Sequence, residues 1–356
     1  MQDTIGVGVV SVYYLFVTSE DCPQVFLFNK NFQTQQMSDV IVLGGGVSGC
    51  ICANLLSQSG HVVKIVEKGR GVGGRMATRR MDGARIDHGA QFMTVRHPRM
   101  QGYLSKWLDD RVACPWYDQV PGREDLADRV RYRGMDGMTS PVKALAQSSR
   151  IEKNFFVEKI KRAKKWTVTE RMGEKRELQA DHLVITFPAP QVLELFERSA
   201  FCLDSETMNR LQRIYYTRCI ALLGLLDKPS SLSAPGTFTH PVTEVDWVSD
   251  NQIKGVSEKP AFTLHASDSY SQRFWDSPDE QRCPFLIGIA EQTLGAKVTR
   301  CSSHRWGFAK PVVTFGATHF HSSDQSLTLA GDGFGGERIE NAFLSGWEAA
   351  QAIMGQ

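Results

Sequence analysis

Glycines at 44, 46 and 49, a serine at 48 and a glutamate at 67 have the types and spacing to hold two phosphates and a ribose. In Gly44-x-Gly46-x-x-Gly49 the first glycine permits a tight turn. The second lets a pyrophosphate approach the backbone, and the third lets a helix pack on a strand. A helix opening there would aim free N–H groups and a partial positive charge at the phosphates. Glu67 follows Gly49 by 18 residues, where a carboxylate accepts hydrogen bonds from the hydroxyls of an adenosine ribose. The pattern carries chemistry only if strands flank it. Asp39–Leu43 (DVIVL) reads as a buried parallel strand, Val47–Leu56 has helical spacing, and His61–Glu67 (HVVKIVE) reads as a second strand. Together they make a βαβ dinucleotide-binding unit.

The turn alone does not distinguish FAD from NAD; the segment after Glu67 does. Gly69–Arg75 (GRGVGGR) is a second glycine-rich loop. The run from Glu67 through Arg75, with Lys68 and Gly74 inside it, resembles the second FAD motif of the amine-oxidase and glutathione-reductase-like flavoproteins. The resemblance implies that Arg75 and its glycines run beside the pyrophosphate and ribityl chain; an ordinary ion pair is the other reading of Arg75. Leu327–Gly333 (LTLAGDG) resembles the third FAD motif of the same superfamily. It implies that Asp332 bonds the ribityl hydroxyls, against the plainer reading of a turn aspartate. The helix expected over Ile339–Ile353 would then point its N-terminus at the flavin N1–C2=O edge and favour reduction. Val157 and Ile339 complete the implied contacts, and FAD is the expected cofactor.

Within that superfamily the chain resembles the renalase-like oxidoreductases over most of residues 38–354. The markers, in order, are Gly73-Gly74-Arg75-Met76, Asp87-His88-Gly89-Ala90-Gln91-Phe92-Met93-Thr94, Gly134–Met138, Trp247–Asn251, Thr263–Ser267, His304-Arg305-Trp306 and Gly331–Phe334. His88 replaces the family's leucine, and Asn341 stands where a glycine is usual near the flavin. Three residues are candidates beside the ring. Gln91 either reaches its polar edge or bonds loop backbone. His265 is either catalytic or a satisfied core histidine. Arg305 pairs either with a substrate phosphate or with a structural carboxylate. Trp306 reads as core or pocket wall.

The resemblance implies oxidation of isomeric dihydronicotinamide dinucleotides, with dioxygen as final acceptor and hydrogen peroxide as product. Hydride loss from a dihydropyridine needs no side-chain base, because the pyridinium formed is aromatic; the protein supplies orientation and a dry pocket. The main rival is a flavin-containing amine oxidase. There, substrate nitrogen passes between two aromatic rings, and Arg338 stands where one of them, a tyrosine, would be. A flavin-binding redox sensor with little turnover is a third reading. No Ser-His-Asp order and no metal-ligand cluster stands out.

The 356 residues suit two domains. With 22% charged residues and a net charge of +2, nothing points to nucleic acid as a partner. The apolar run Gly6–Val17 is too short to span a membrane, which takes about 20 residues. The eight cysteines form no Cys-x-x-Cys pair, which suits a reducing, cytoplasmic setting, and Cys50 and Cys52 read as small core hydrophobes. Arg80–Thr94 reads as a loop, Tyr103–Trp107 as the start of a helix, and Val157–Thr169 as a hairpin. Leu183–Phe187 and Thr328–Ala330 read as strands, and residues 191–300 as strands with one helix, Ser205–Arg213. The fold class is α/β: a Rossmann-type, glutathione-reductase-like FAD-binding domain plus an α+β substrate domain with a mixed β-sheet. Residues 37–93, 138–190 and 300–356 are expected to form the FAD-binding domain, 94–137 and 191–299 the substrate domain, and 1–36 a dispensable extension.

Overall fold

A computed structural model describes residues 37–118, 129–171 and 176–355, with the backbone of 10–12 and 30–32. The chain divides into two units, Met1–Ser38 and Asp39–Gln356. In the first, Val10–Val12 pairs antiparallel with Lys30–Phe32; the rest of the Gly6–Val17 run lies outside the described residues.

The second unit is built on two large sheets, with smaller two- and three-stranded ones. The first has six strands in the order Phe320–Ser322, Leu327–Leu329, His182–Ile185, Asp39–Leu43, Val62–Val66 and Arg150–Glu152. All neighbours run parallel except the first pair. Alternation along Asp39–Leu43 explains why the strand is apolar throughout. Val40 and Val42 pack with the helices Val47–Gln58 and Ile339–Met354 on one face. Ile41 and Leu43 pack with Trp166, Val168 and Phe196 on the other. Cys50 and Cys52 are fully buried in the first of these layers, and burial raises both thiols, Cys52 to about 12.

The second sheet has five strands in the order Thr237–Val242, Val245–Asp250, Ala261–Ala266, Cys219–Leu226 and Val298–Trp306. Every neighbouring pair is antiparallel, so the expected mixed sheet is corrected. Thr237–Val242, Val245–Asp250 and Ala261–Ala266 follow one another through short connections, which suit antiparallel neighbours, whereas a parallel pair would need a long crossover. One face carries Ile220, Leu222, Phe262 and Leu264 and is covered by the helix Asp279–Leu294. The other carries Ala221 and Leu223 and packs on Ile86.

Two further expectations change. Residues 191–300 hold more than one helix: Ser205–Gln212, Asp268–Arg273 and Asp279–Leu294, with Ala189–Arg198 entering from before. Pro284 lies inside the 16-residue helix and obscures its pattern. Arg80–Thr94 is not all loop, because Thr78–Met81 and Ala84–Asp87 form a hairpin. Its turn is Asp82-Gly83, both at positive φ, the pairing a two-residue hairpin turn requires. Among the described residues, no helix is long and apolar enough to cross a membrane.

Candidate functional site

The Gly44–Gly49 turn links the strand Asp39–Leu43 to the helix Val47–Gln58. Gly44 has φ +110°, and a Cβ at Gly49 would lie 2.1 Å from the Gly44 carbonyl oxygen. Those two glycines are demanded by the fold. Gly46 is different: a Cβ there meets nothing within 4 Å. Next to that open space the Ser48 hydroxyl is buried and has no hydrogen-bond partner among the described residues. A buried polar atom without a partner is costly, and it needs a ligand here. Glu67 holds the two glycine loops together, accepting from Gly45 N–H at 2.8 Å and Gly69 N–H at 2.7 Å. Each carboxylate oxygen keeps a second lone pair for another donor. Gly73 N–H also bonds the Gly45 carbonyl at 2.7 Å. Gly74 sits against Gly46, so that a Cβ on Gly74 would lie 3.4 Å from the Gly46 Cα.

Arg75 and Asp332, far apart in sequence, face each other. The Arg75 guanidinium grips both carboxylate oxygens, with Nη2 2.6 Å from Oδ1, and also donates to the Phe308 carbonyl at 3.0 Å. This pair closes one side of a cavity of about 1820 Å³. Lys68, Val157 and Ile339 line the same cavity, as do Gly44, Gly46, Ser48, Glu67 and Gly74. Its volume exceeds the roughly 300–1,000 Å³ of a pocket for one drug-sized ligand. The unpartnered hydroxyl, the open cradle at Gly46 and the free helix N-terminus fit a dinucleotide such as FAD.

The opposite wall comes from one rung of the antiparallel sheet. Thr239 pairs with Trp247, Trp247 with His265, His265 with Ala221, and Ala221 with His304. Register therefore puts Trp247, His265 and His304 on one face, and all three line the cavity. A backbone carbonyl only accepts, so the His265 nitrogen 3.3 Å from the His88 carbonyl is Nε2–H. Trp306 Nε1–H donates to the same carbonyl at 2.9 Å. His88, His304 and Trp306 form an aromatic cluster with ring centroids 4.3–5.0 Å apart. Burial, helped by neighbouring cations, lowers His88, His265 and His304 to about 4 each. The three imidazoles are neutral at physiological pH.

Two of the candidate residues are engaged by the protein itself. Gln91 has both ends of its amide committed: Nε2 donates to the Asp87 carbonyl at 2.7 Å and the Gly89 carbonyl at 3.0 Å, while Oε1 accepts from Ser249 at 3.0 Å. Gln91 is placed as a loop anchor. Arg305 lies on the far face of its strand, because alternation gives the cavity face to His304 and Trp306. It reaches only the rim and donates to the Trp275 carbonyl at 2.8 Å. His304 stands in the sequence only as part of a marker, and its role follows from pairing register. Sequence reasoning does not find Lys254. It is fully buried, 2.8 Å from Asp87 Oδ2. Asp87 also accepts from Thr78 Oγ1 at 2.6 Å and Met138 N–H at 2.8 Å. Nothing in the sequence around Lys254 marks an inward-pointing lysine.

Phe92 and Trp247 also line the cavity, with centroids 5.8 Å apart. That is a packed pair, with no space for a substrate nitrogen between the rings. Arg338 lines the wall near them, bonded to Thr94 Oγ1 at 2.9 Å and paired with the buried Glu340 at 3.0 Å. Asn341 tucks against Gly335 and Gly336. Among the described residues no group of His, Cys, Asp and Glu is arranged to hold a metal ion.

Comparison with known proteins places this geometry. Residues 42–107 match the model of an NAD(P)-binding Rossmann-like domain, and residues 113–354 that of flavin containing amine oxidoreductase. Renalase of Mus musculus is 26% identical over 198 residues, 52% of this chain and 57% of that protein. L-amino acid oxidase of Cerastes cerastes is 33% identical over 91 residues, 24% of this chain and 18% of that one. The matches thus span little more than half of the first relative and a small part of the second. Among solved structures, putrescine oxidase bound to putrescine aligns with TM-score 0.65 and 15% identity over 90% of this chain and 99% of that one. A CLA-producing fatty acid isomerase from P. acnes aligns with TM-score 0.62 and 12% identity over 89% and 98%. At such identities these structures speak for the fold alone.

Proposed function

The chain belongs to the flavin-containing amine oxidoreductase family and is an FAD-dependent oxidoreductase, and from that premise we propose that it oxidises isomeric dihydronicotinamide dinucleotides. The substrate loses one hydride and becomes an aromatic pyridinium cation. FAD, when bound, would supply the acceptor for that hydride and, with a solvent proton, the route by which dioxygen becomes hydrogen peroxide. Gly44, Gly46, Ser48 and Gly49 would hold the pyrophosphate, Glu67 the adenosine ribose, and Lys68, Gly74, Arg75, Val157, Asp332 and Ile339 the rest of the cofactor.

The observation that carries the reading is the wall of neutral imidazoles. Burial lowers His265 and His304 to about 4, so both imidazoles are uncharged near neutral pH and offer hydrogen-bond acceptors. Hydride loss from a dihydropyridine asks for no more. The His265 ring, fixed through Nε2–H on the His88 carbonyl, turns Nδ1 into an acceptor for a substrate N–H. Arg338, a cation on the cavity lining where a cage tyrosine would stand, speaks against an aromatic cage for an amine. The same proposal keeps residues 1–36 as an extension and a cytoplasmic setting. It extends the substrate part of the chain through Trp306, because that strand pairs with Cys219–Leu226.

The test is anaerobic stopped-flow absorbance of the flavin band. Isomers carrying hydride at unusual ring positions should bleach it quickly, and ordinary NADH far more slowly. Bleaching by primary amines alone would return the chain to amine oxidation. Reduction by neither would favour a redox sensor.

A further inference from the structure

The rim beside His265 carries two cations whose charged groups have no counter-ion among the described residues. Arg218 and Lys310 both line the cavity; Lys310 lies close to Cys219 and His265, and Arg218 directly precedes Cys219 in the chain. Thr217 N–H donates to the Lys310 carbonyl and Ala309 N–H to the Thr217 carbonyl, each at 2.9 Å. The backbone thus holds Thr217 against Lys310, with Arg218 next along the chain and both cations on the cavity lining.

The Arg218 guanidinium stacks over the Trp275 ring, 4.8 Å from its centroid. Its backbone N–H is held by Asp268 at 2.7 Å. Trp275 is itself braced by Arg305 and lies 3.5 Å from where a Cβ on Gly307 would stand. Stacking uses the flat face of a guanidinium and leaves its N–H edge free. No side-chain hydrogen bond or ion pair engages either cation among the described residues. Arg305 differs, because its Nη1 donates to the Trp275 carbonyl and lies 4.0 Å from Asp276 Oδ1. Two carboxylates lie near them: Asp268 accepts from the Arg218 N–H and from Gln272 Nε2, each at 2.7 Å, and Asp246 Oδ1 stands 3.8 Å from His240 Nδ1.

We propose that Arg218 and Lys310 form a second anion site, which binds the diphosphate of the dinucleotide substrate while its nicotinamide lies against the His265 wall. The site rests on the substrate reading above and adds to it: the enzyme recognises the dinucleotide, and the reactive base alone is a poor substrate. A preorganised guanidinium edge suits bidentate phosphate recognition, and an ammonium adds a point charge.

The experiment compares an isomeric dihydronicotinamide dinucleotide with the matching riboside, which lacks phosphate. Holoenzyme, Arg218→Gln, Lys310→Gln and the surface control Lys297→Gln are each measured by flavin reduction, after flavin absorbance has confirmed equal FAD content. Each rim substitution should lower efficiency with the dinucleotide about 10-fold, and far less with the riboside. Rising salt should erode the preference in wild type and not in a variant carrying both Arg218→Gln and Lys310→Gln. Equal use of both substrates by wild type, or a preference that survives in both variants, overturns the anion site and leaves the substrate reading standing. Failure of both substrates to reduce wild-type flavin overturns the reading, and the site with it.

Discussion

Gly46 and Gly49 lie three residues apart, yet the fold asks different things of them. A side chain at Gly46 enters empty space, and its backbone is extended, with φ −80° and ψ 179°. Gly46→Val should therefore fold with nearly the melting temperature of wild-type apoprotein and purify colourless. Gly49→Ala drives a methyl into the Gly44 carbonyl and should lose stability by about 1–3 kcal/mol or more. Thermal melts of the two apoproteins separate the cases. The imidazoles set a second prediction. Each of His88, His265 and His304 has a folded pKa of about 4, against an unfolded value of about 6.5. The unfolded chain binds more protons in that interval, so stability is complete above about pH 6.5 and falls as pH drops toward about 4. Flavin reduction by a dihydronicotinamide isomer should be flat between about pH 7 and about pH 8.5. An amine substrate, mostly ammonium in that range, would give a rate that climbs with pH. A rapid-reaction pH profile decides between them.

At the level of elements, much of the platform can be read from sequence and little of the wall. The strand–turn–helix–strand run is local, so glycine spacing and apolar runs reveal it directly. The wall depends on which residue of one strand faces which residue of the next. His304 and Arg305 are neighbours in sequence, and only pairing with Ala221 and Ile220 sends one to the cavity and the other to its rim. The Asp82-Gly83 turn is a local hairpin signal, but the charged residues around it give its short strands the look of a loop. Lys254 shows the same limit in another form. Its buried pair with Asp87 joins the Thr78–Asp87 hairpin, the start of the Thr139–Leu145 helix and the substrate sheet. Burial lowers the Lys254 pKa and Asp87 opposes the shift. Lys254→Met leaves a buried carboxylate short of its counter-ion and should cost about 3–5 kcal/mol in urea denaturation. Flavin reduction in the surviving folded fraction should change little if the pair is a brace and takes no part in the chemistry.

Across the whole molecule, both sheets and the cavity fall within Asp39–Gln356. A chain starting at Met37 should accordingly fold, stay yellow and reduce its flavin at the full-length rate. Loss of soluble protein on that truncation would place residues 1–36 in the folded core. The cavity also has an order of completion. Its parallel sheet takes Leu327–Leu329 beside His182–Ile185, which pairs in turn with Asp39–Leu43, and Asp332 follows immediately. The last helix, Ile339–Met354, packs so closely on the first that a methyl on Gly346 would lie 2.1 Å from the Ser48 carbonyl. A ribosome adds about 5–20 residues per second, so the first glycine turn waits tens of seconds for the residues that finish its pocket. Cofactor loading thus waits until both ends of the Asp39–Gln356 unit have been made. Ribosome-stalled chains ending before Leu327 should carry no flavin, and a cell short of flavin would accumulate finished apoprotein ready to be filled later.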